Sequence, residues 1–286
     1  MKKRSLKCVK QPVELEGAFV RRPTDAHKYS VGTVTVIGGS ENYPHAPVIA
    51  GLGARTAGAG LVQLVVPDAS RFAASVHVPE ATLTKLSTTC TRPRADVTIA
   101  GMGLGVSKTA EKIVSRILSE PHGQFVLDAS ALPVLAAKGG RKPKDGQDLI
   151  LTPHEGEAAK LLGWTREEVA ANRLAAAREI AKRYAATIVL KGSQTLVVSA
   201  DGSRVYKNGT GNPFMALGGM GDLLAGVIGA RWAYLKCGAF LAAASSVWLH
   251  GLASDETVKA ACDPSVANTA AMIGSIRLRL DANPPT

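Results

Sequence analysis

The sequence predicts an α/β protein in three layers: a mostly parallel central sheet covered on both faces by helices, with an added antiparallel hairpin. Three observations lead there. Apolar, β-branched runs recur at 33–37, 61–66, 97–100, 125–127, 149–151 and 187–190; Ala-rich segments of helical length lie between most of them, as at 47–58, 108–118 and 155–162; and several runs stop at glycine or polar turns. Short continuous apolar runs suit strands buried on both faces, and the intervening helices supply the crossovers that parallel pairing requires.

In chain order, the run 33–37 closes on Gly38, Gly39 and Ser40, and the helical segment 47–58 leads into the run 61–66. The run 97–100 closes on Gly101, Met102, Gly103, Leu104 and Gly105, ahead of the helical segment 108–118. Run 125–127 closes on Asp128, Ala129 and Ser130; run 149–151 on Thr152, Pro153 and His154, ahead of the helical segment 155–162; run 187–190 on Lys191 and Gly192. Segments 195–199 and 204–207 flank a turn containing Asp201 and Gly202, the pattern of an antiparallel hairpin. From Asp222 to Leu280 the chain reads as nearly all helix. In open α/β sheets ligands bind beyond the carboxyl ends of the strands, so the five turns are expected to line one cleft. Neither a P-loop nor a strand-linked Gly-x-Gly-x-x-Gly accounts for their glycines.

With 286 residues, 46% hydrophobic content and no apolar run of transmembrane length, the chain is expected to be a soluble globular protein without a membrane partner. Lys2, Lys3, Arg4, Lys7 and Lys10 mark a basic tail, assigned to 1–20, that lacks the apolar segment of a secretory signal; 21–286 reads as a single domain. The tail and a second cluster of Lys138, Arg141, Lys142 and Lys144 carry much of the net charge of +11. Such a balance suits an anionic substrate such as a nucleotide, or a nucleic acid. Aromatics are only 5% of the chain and are not interleaved with the basic residues, so no nucleic-acid partner is expected. Cys8, Cys90, Cys237 and Cys262 are widely spaced, which signals neither a disulfide framework nor a zinc site and fits a reducing cytoplasm. The six histidines show no ligand pairing, so no protein-built metal cage is expected and any metal would arrive with phosphates.

The most informative stretch is 208–226, where six glycines surround one carboxylate, Asp222, and an apolar helical run starts behind it at Leu223. Backbone amides at such a helix start can converge on an anion beside a potential base, the arrangement phosphate chemistry needs. The simpler alternative makes Asp222 a helix cap. A capping Asp needs no more than one glycine, whereas four lie between Gly211 and Gly221, which leaves the backbone bare for a ligand to approach.

In this order, the turns resemble those of the ADP/ATP-dependent NAD(P)H-hydrate dehydratase family of the ribokinase-like superfamily. The resemblance rests on Gly38-Gly39-Ser40-Glu41-Asn42-Tyr43 with Ala46-Pro47, on Gly58-Ala59-Gly60-Leu61-Val62, on 101–105, on Leu151-Thr152-Pro153-His154-Glu155-Gly156-Glu157, and on Lys191-Gly192 through Gly226. It implies a ribokinase-like fold and an enzyme that repairs hydrated NADH and NADPH. In that chemistry the 6-hydroxyl of NADHX or NADPHX is phosphorylated from ADP or ATP, with Mg2+, and phosphate is then eliminated. By matching position, Asp222 would be the catalytic base and contact the hydrate, and Gly219, Met220, Gly221 and Asp222 would form the anion hole. Lys191, Gly192, Ser193, Gln194, Thr195 and Gly221 would contact the adenine nucleotide. Ala46, through its amide, Gly105 and His154 would contact the hydrate. The resemblance also implies a homotetramer.

This chain departs from the family pattern at several positions. Ser130 and Pro133 stand where an acidic residue and an amide are usual, Phe214, Leu217 and Met220 replace small or hydroxyl residues, and His45 replaces a glycine before Ala46. His154 also has a plainer reading, as a cap for the helix behind it. Two alternatives to the dehydratase are a kinase of a vitamin-like hydroxyl compound, stopping after phosphoryl transfer, and a catalytically silent nucleotide-binding protein.

Overall fold

The β-branched runs become β1 (Thr33–Ile37), β2 (Leu61–Val66), β4 (Val97–Ala100), β5 (Gly123–Leu127), β6 (Gln147–Leu151) and β7 (Thr187–Leu190), joined by an edge strand β3 (Thr82–Lys85). The hairpin is β8 (Leu196–Val198) and β9 (Val205–Lys207). In a computed structural model of the chain, which describes residues 12–89, 93–139, 143–144 and 146–282, these form one sheet in the order β3-β2-β1-β4-β5-β6-β7-β8-β9. Pairing is parallel from β3 through β7 and antiparallel for β7/β8 and β8/β9. The basic residues of the tail, with Arg141, Lys142, Cys8 and Cys90, lie outside the described residues; Cys237 and Cys262 are free thiols.

The helices are α1 (Ala46–Thr56), α2 (Asp68–His77), α3 (Lys108–Ser119), α4 (Ala131–Ala137), α5 (Glu155–Leu162), α6 (Arg166–Ala171), α7 (Arg173–Tyr184), α8 (Met220–Leu235), α9 (Ala239–Lys259) and α10 (Val266–Ala282). One core packs α1, α2, α8, α9 and α10 on one sheet face; the other packs α3 to α7 on the opposite face. Strand residues feed both: Val34 and Val36 of β1 join the first core and Ile37 the second. That two-sided burial is why these strands lack polar alternation. No helix among the described residues is long and apolar enough to cross a membrane.

Leu15, Ala18 and Phe19 are buried in the first core, although the sequence boundary at Arg21 assigned them to the tail. Their anchor is Arg231 of α8, fully buried, which donates to the carbonyl of Ala18, pairs with Asp281 of α10 at 3.3 Å and stacks 4.5 Å over Phe19. A charge so deep is held by contacts remote in sequence, which local pattern does not reveal.

The contact that positions the site is between α1 and α8. Their backbones meet without intervening side chains: a Cβ added at Gly53 would overlap the Leu223 carbonyl oxygen, and one at Gly226 the Ala50 carbonyl oxygen. This approach brings the first turns of α1 and α8 together at the carboxyl edge of the sheet. Helix propensity alone would favour Ala over Gly at 226 by about 1 kcal/mol. The overlap predicts the opposite sign: Gly226→Ala should lose about 1–3 kcal/mol in denaturant unfolding, the usual cost of overpacking. A stabilised variant would mean that the helices are not in backbone contact.

Candidate active site

The five turns are stitched to one another by the main chain. Gly39 N donates to Met102 O at 2.9 Å, Asp128 N to Ala100 O at 3.1 Å, Thr152 N to Leu127 O at 3.1 Å and Lys191 N to Pro153 O at 2.8 Å. The expected cleft is therefore a continuous rim along the strand ends, with the start of α8 facing it.

At that start the chain turns through Gly219, whose φ of +91° is a left-handed geometry that glycine adopts without strain, and Gly219 is the N-cap of α8. Met220 and Gly221 follow, and Asp222 is the third helical residue. Asp222 is thus not the cap, and its carboxylate accepts no capping hydrogen bond. The amides of Gly219, Gly221 and Asp222 have no acceptor among the described residues, while Met220 N reaches Leu217 O only at 3.4 Å. These are orphan donors at the positive end of a helix dipole, the physical basis of an anion hole.

Beside them lies a buried charge cluster. Asp128, at the end of β5, is almost wholly buried and accepts a 2.7 Å hydrogen bond from Lys191 Nζ; Glu157 Oε2 of α5 lies 3.8 Å from the same ammonium. A Cβ at Gly221 would stand 3.4 Å from Lys191 Nζ and 4.0 Å from Asp128 Oδ2, so the pair sits directly against these amides. Burial pulls the Lys191 ammonium down, but Asp128, Glu157 and Asp222 outweigh it and hold its pKa above the ordinary lysine value. Asp222 has the opposite fate. Burial pushes its carboxyl up to about 7, the Asp128 charge adds to the rise, Lys191 opposes it and Glu157 adds further. Lys191 is already engaged by Asp128, so it does not cancel the cost of burying a second carboxylate nearby. A carboxylate poised there can take a proton at neutral pH.

His154 is the N-cap of α5: Nδ1 accepts from Gly156 N at 3.0 Å and Glu157 N at 3.2 Å, and Glu157 Oε2 accepts from His154 N at 2.9 Å, which completes a capping box. The plainer reading of this residue holds as geometry. Because Nδ1 accepts, the neutral ring carries its proton on Nε2, which lies 3.6 Å from Glu157 Oε2 on a side chain that is 60% exposed.

The remaining expected residues divide. Lys191, Gly192, Ser193, Gln194 and Thr195 form the β7/β8 turn; Gln194 has φ +54° and Thr195 Oγ1 donates to Gly192 O at 2.9 Å. Ala46 opens α1, next to Gly103, and Ile49 one turn on lies against Gly219. A Cβ added at Gly105 (φ +72°) would meet nothing within 4 Å. Ser130 precedes α4 without capping it, and Pro133 occupies the first turn of that helix, where no N–H is needed. Phe214 and Leu217 are exposed, and Asn212 and Gly211 just before them are tied to Asp255 of α9 by 2.9 Å hydrogen bonds. Sequence reasoning missed Glu157 and Asp128 as partners of Lys191, and Arg173 altogether. Asp128 ended a strand run and Glu157 lay in the quoted Thr-Pro-His segment; for Arg173 no local signal exists. Among the described residues no group of three or more His, Cys, Asp or Glu side chains could hold a metal ion. The Lys191 ammonium stands between Asp128 and Glu157 where a cation would otherwise sit.

A family model described as NAD(P)H-hydrate dehydratase matches residues 34–275. The ADP-dependent (S)-NAD(P)H-hydrate dehydratase of Neisseria meningitidis serogroup B is 39% identical over 241 residues, 83% of this chain and 81% of that protein. The bifunctional NAD(P)H-hydrate repair enzyme of Escherichia coli is 35% identical over 82% of this chain, which spans 45% of that longer protein. Among solved structures, the ADP/ATP-dependent NAD(P)H-hydrate dehydratase of Bacillus subtilis, co-crystallised with ATP and Mg2+, superposes with a TM-score of 0.83. It is 27% identical, and the match covers 93% of this chain and 96% of that one.

The Asp222 environment has a measurable consequence for stability. Its folded-state pKa, about 7, lies above the ordinary aspartate value of 3.8, so the protonated form favours the fold. The stability it contributes is present below about pH 4 and is lost as pH rises to about 7. Asn does not ionise. Asp222→Asn should therefore gain stability over wild type progressively across that window, with a plateau above it, in denaturant unfolding at a series of pH values. A variant that instead loses stability as pH rises would restore the capping role.

Proposed function

The chain belongs to the NAD(P)H-hydrate dehydratase family, and from that premise we propose how its residues carry out the reaction. The enzyme restores NADH and NADPH from their hydrates with ADP or ATP as phosphoryl donor, an activity its relatives' names share. The observation that carries the mechanism is a carboxyl pushed up to about 7 beside unpaired helix amides.

In the proposed sequence Asp222 takes the proton of the 6-hydroxyl as that oxygen attacks the terminal phosphorus of the nucleotide, and the bond from phosphorus to the leaving nucleotide oxygen breaks. The amides of Gly219, Met220, Gly221 and Asp222 hold the charge on the transferring group. The carbon–oxygen bond at C6 then breaks with loss of phosphate, and a proton leaves C5 to restore the ring double bond. Lys191, Gly192, Ser193, Gln194, Thr195 and Gly221 bind the adenine nucleotide, and Ala46, Gly105 and the His154 Nε2–H bind the hydrate. Among the described residues no side chains form a cage for Mg2+, and in this reading the ion would be held by nucleotide phosphates. A homotetramer in the cytoplasm completes the proposal, on the family resemblance.

Incubating the protein with hydrated NADH and ADP or ATP, and following dihydronicotinamide absorbance, tests the activity. Asp222→Asn should lower turnover by roughly 10² to 10⁴, the usual range for a positioned base. Wild-type kcat/KM should fall as pH drops through about 7 instead of about 4, since only the ionised carboxylate accepts a proton. Near-wild-type turnover in the variant would remove Asp222 from the mechanism.

His154→Asn separates its two roles, because Asn caps a helix well but lacks the Nε2–H. Stability should stay within about 0.5 kcal/mol of wild type on that ground. The KM for the hydrate should rise about 2- to 10-fold, the effect of one lost hydrogen bond, with nucleotide affinity unchanged. An unchanged KM would confine His154 to capping.

A further inference from the structure

Arg173, the first residue of α7, holds the 191–195 turn from below. Nη1 donates to Ser193 O at 2.8 Å, and Nη2 donates to Leu190 O at 3.1 Å and Lys191 O at 3.2 Å. Nε is buried with no hydrogen-bond partner and lies 3.7 Å from Glu155 Oε1, which steadies the guanidinium from the other side. The packing is close: a Cβ at Gly192 would stand 2.9 Å from Nη2.

In a trans peptide the C=O and the following N–H point in opposite directions, and the described chain has no cis bond. Anchoring the carbonyls of Lys191 and Ser193 on the guanidinium therefore aims the amides of Gly192 and Gln194 away from it. Neither amide has an acceptor among the described residues. We infer that Arg173 is a positioning residue for the nucleotide: without touching the ligand, it turns the backbone so that these two amides present themselves to the anionic nucleotide, and it places a fixed positive charge beneath them. Arg suits the role because its planar fork reaches three carbonyls at once, which an ammonium cannot do. This inference rests on the reading of 191–195 as the nucleotide turn.

The test measures ADP binding by calorimetry, and KM for ADP and for hydrated NADH, in wild type, Arg173→Met and Arg173→Lys. In Arg173→Met, ADP affinity should fall about 10- to 100-fold, the effect of losing two or three hydrogen bonds that order the turn. The KM for the hydrate should stay within about twofold, because the hydrate's contacts lie elsewhere. Millimolar guanidinium, but not methylammonium, should restore ADP affinity to Arg173→Met. Arg173→Lys keeps charge and length, so it serves if the Met variant does not fold, and it should still lose about tenfold in ADP affinity for want of the fork. Unchanged ADP affinity in both variants, or equal loss for ADP and hydrate with no guanidinium rescue, would overturn the inference while leaving the dehydratase reading intact. A wild-type protein that does not bind ADP would instead overturn the nucleotide turn, and this inference with it.

Discussion

One half-buried ammonium serves three carboxylates, and the arrangement of the site follows from how unequally it is shared. Lys191 gives its short hydrogen bond to Asp128, stands farther from Glu157, and leaves Asp222 only a through-space attraction. In a poorly solvated cleft that inequality leaves Asp222 to bear the cost of burial, and the Asp128 charge adds to its rise. A single cluster thereby holds one hydrogen-bonded carboxylate, Asp128, and one raised toward neutral pH, Asp222. Because the groups interact, the proton of Asp222 belongs in part to the whole cluster, and substitutions at Lys191 would move it as surely as substitutions at Asp222.

The cluster exists because four elements deliver one residue each. Asp128 directly follows β5, Lys191 directly follows β7, Glu157 lies in the first turn of α5 and Asp222 in the first turn of α8. Parallel pairing puts the first two at the same edge of the sheet; the crossover after β6 starts α5 above that edge, and α8 starts there after β9. The backbone contact of α1 with α8 then fixes the depth at which Asp222 and its neighbouring amides stand. Glycines serve two separate purposes in this region. Those inside α1 and α8 permit the helices to touch, and Gly219 permits the left-handed turn that ends at the exposed amides.

Much of this was legible beforehand, for identifiable reasons. The strands of the sheet interior are continuous apolar runs with polar or glycine stops, so their positions and the rim they form could be read directly. β3 could not: its four residues, Thr-Leu-Thr-Lys, form a half-exposed edge strand with no apolar run. The segment before Arg21 looked like a continuation of the basic tail, whereas its burial depends on Arg231, more than 200 residues away. Asp222 was conspicuous because glycines surround it, but its place at the third helical position, past a glycine cap, is backbone geometry that composition does not reveal. The same holds for Arg173, an ordinary helix-start arginine until α7 packs beneath the turn after β7. His154 is instructive in a different way, since its capping uses Nδ1 alone and the proposed ligand contact would use Nε2.

The chemistry proposed for the cleft depends on the protonation of one carboxyl group, which can be observed without substrate. Carbon-13 NMR of the Asp222 side-chain carboxyl, titrated in the full-length protein, reads its ionisation directly. A midpoint near 7 is expected from its burial and from Asp128. A midpoint near the ordinary aspartate value, about 4, would contradict the account, because Asp222 would then be a solvated carboxylate and the unequal sharing of Lys191 would have no chemical consequence.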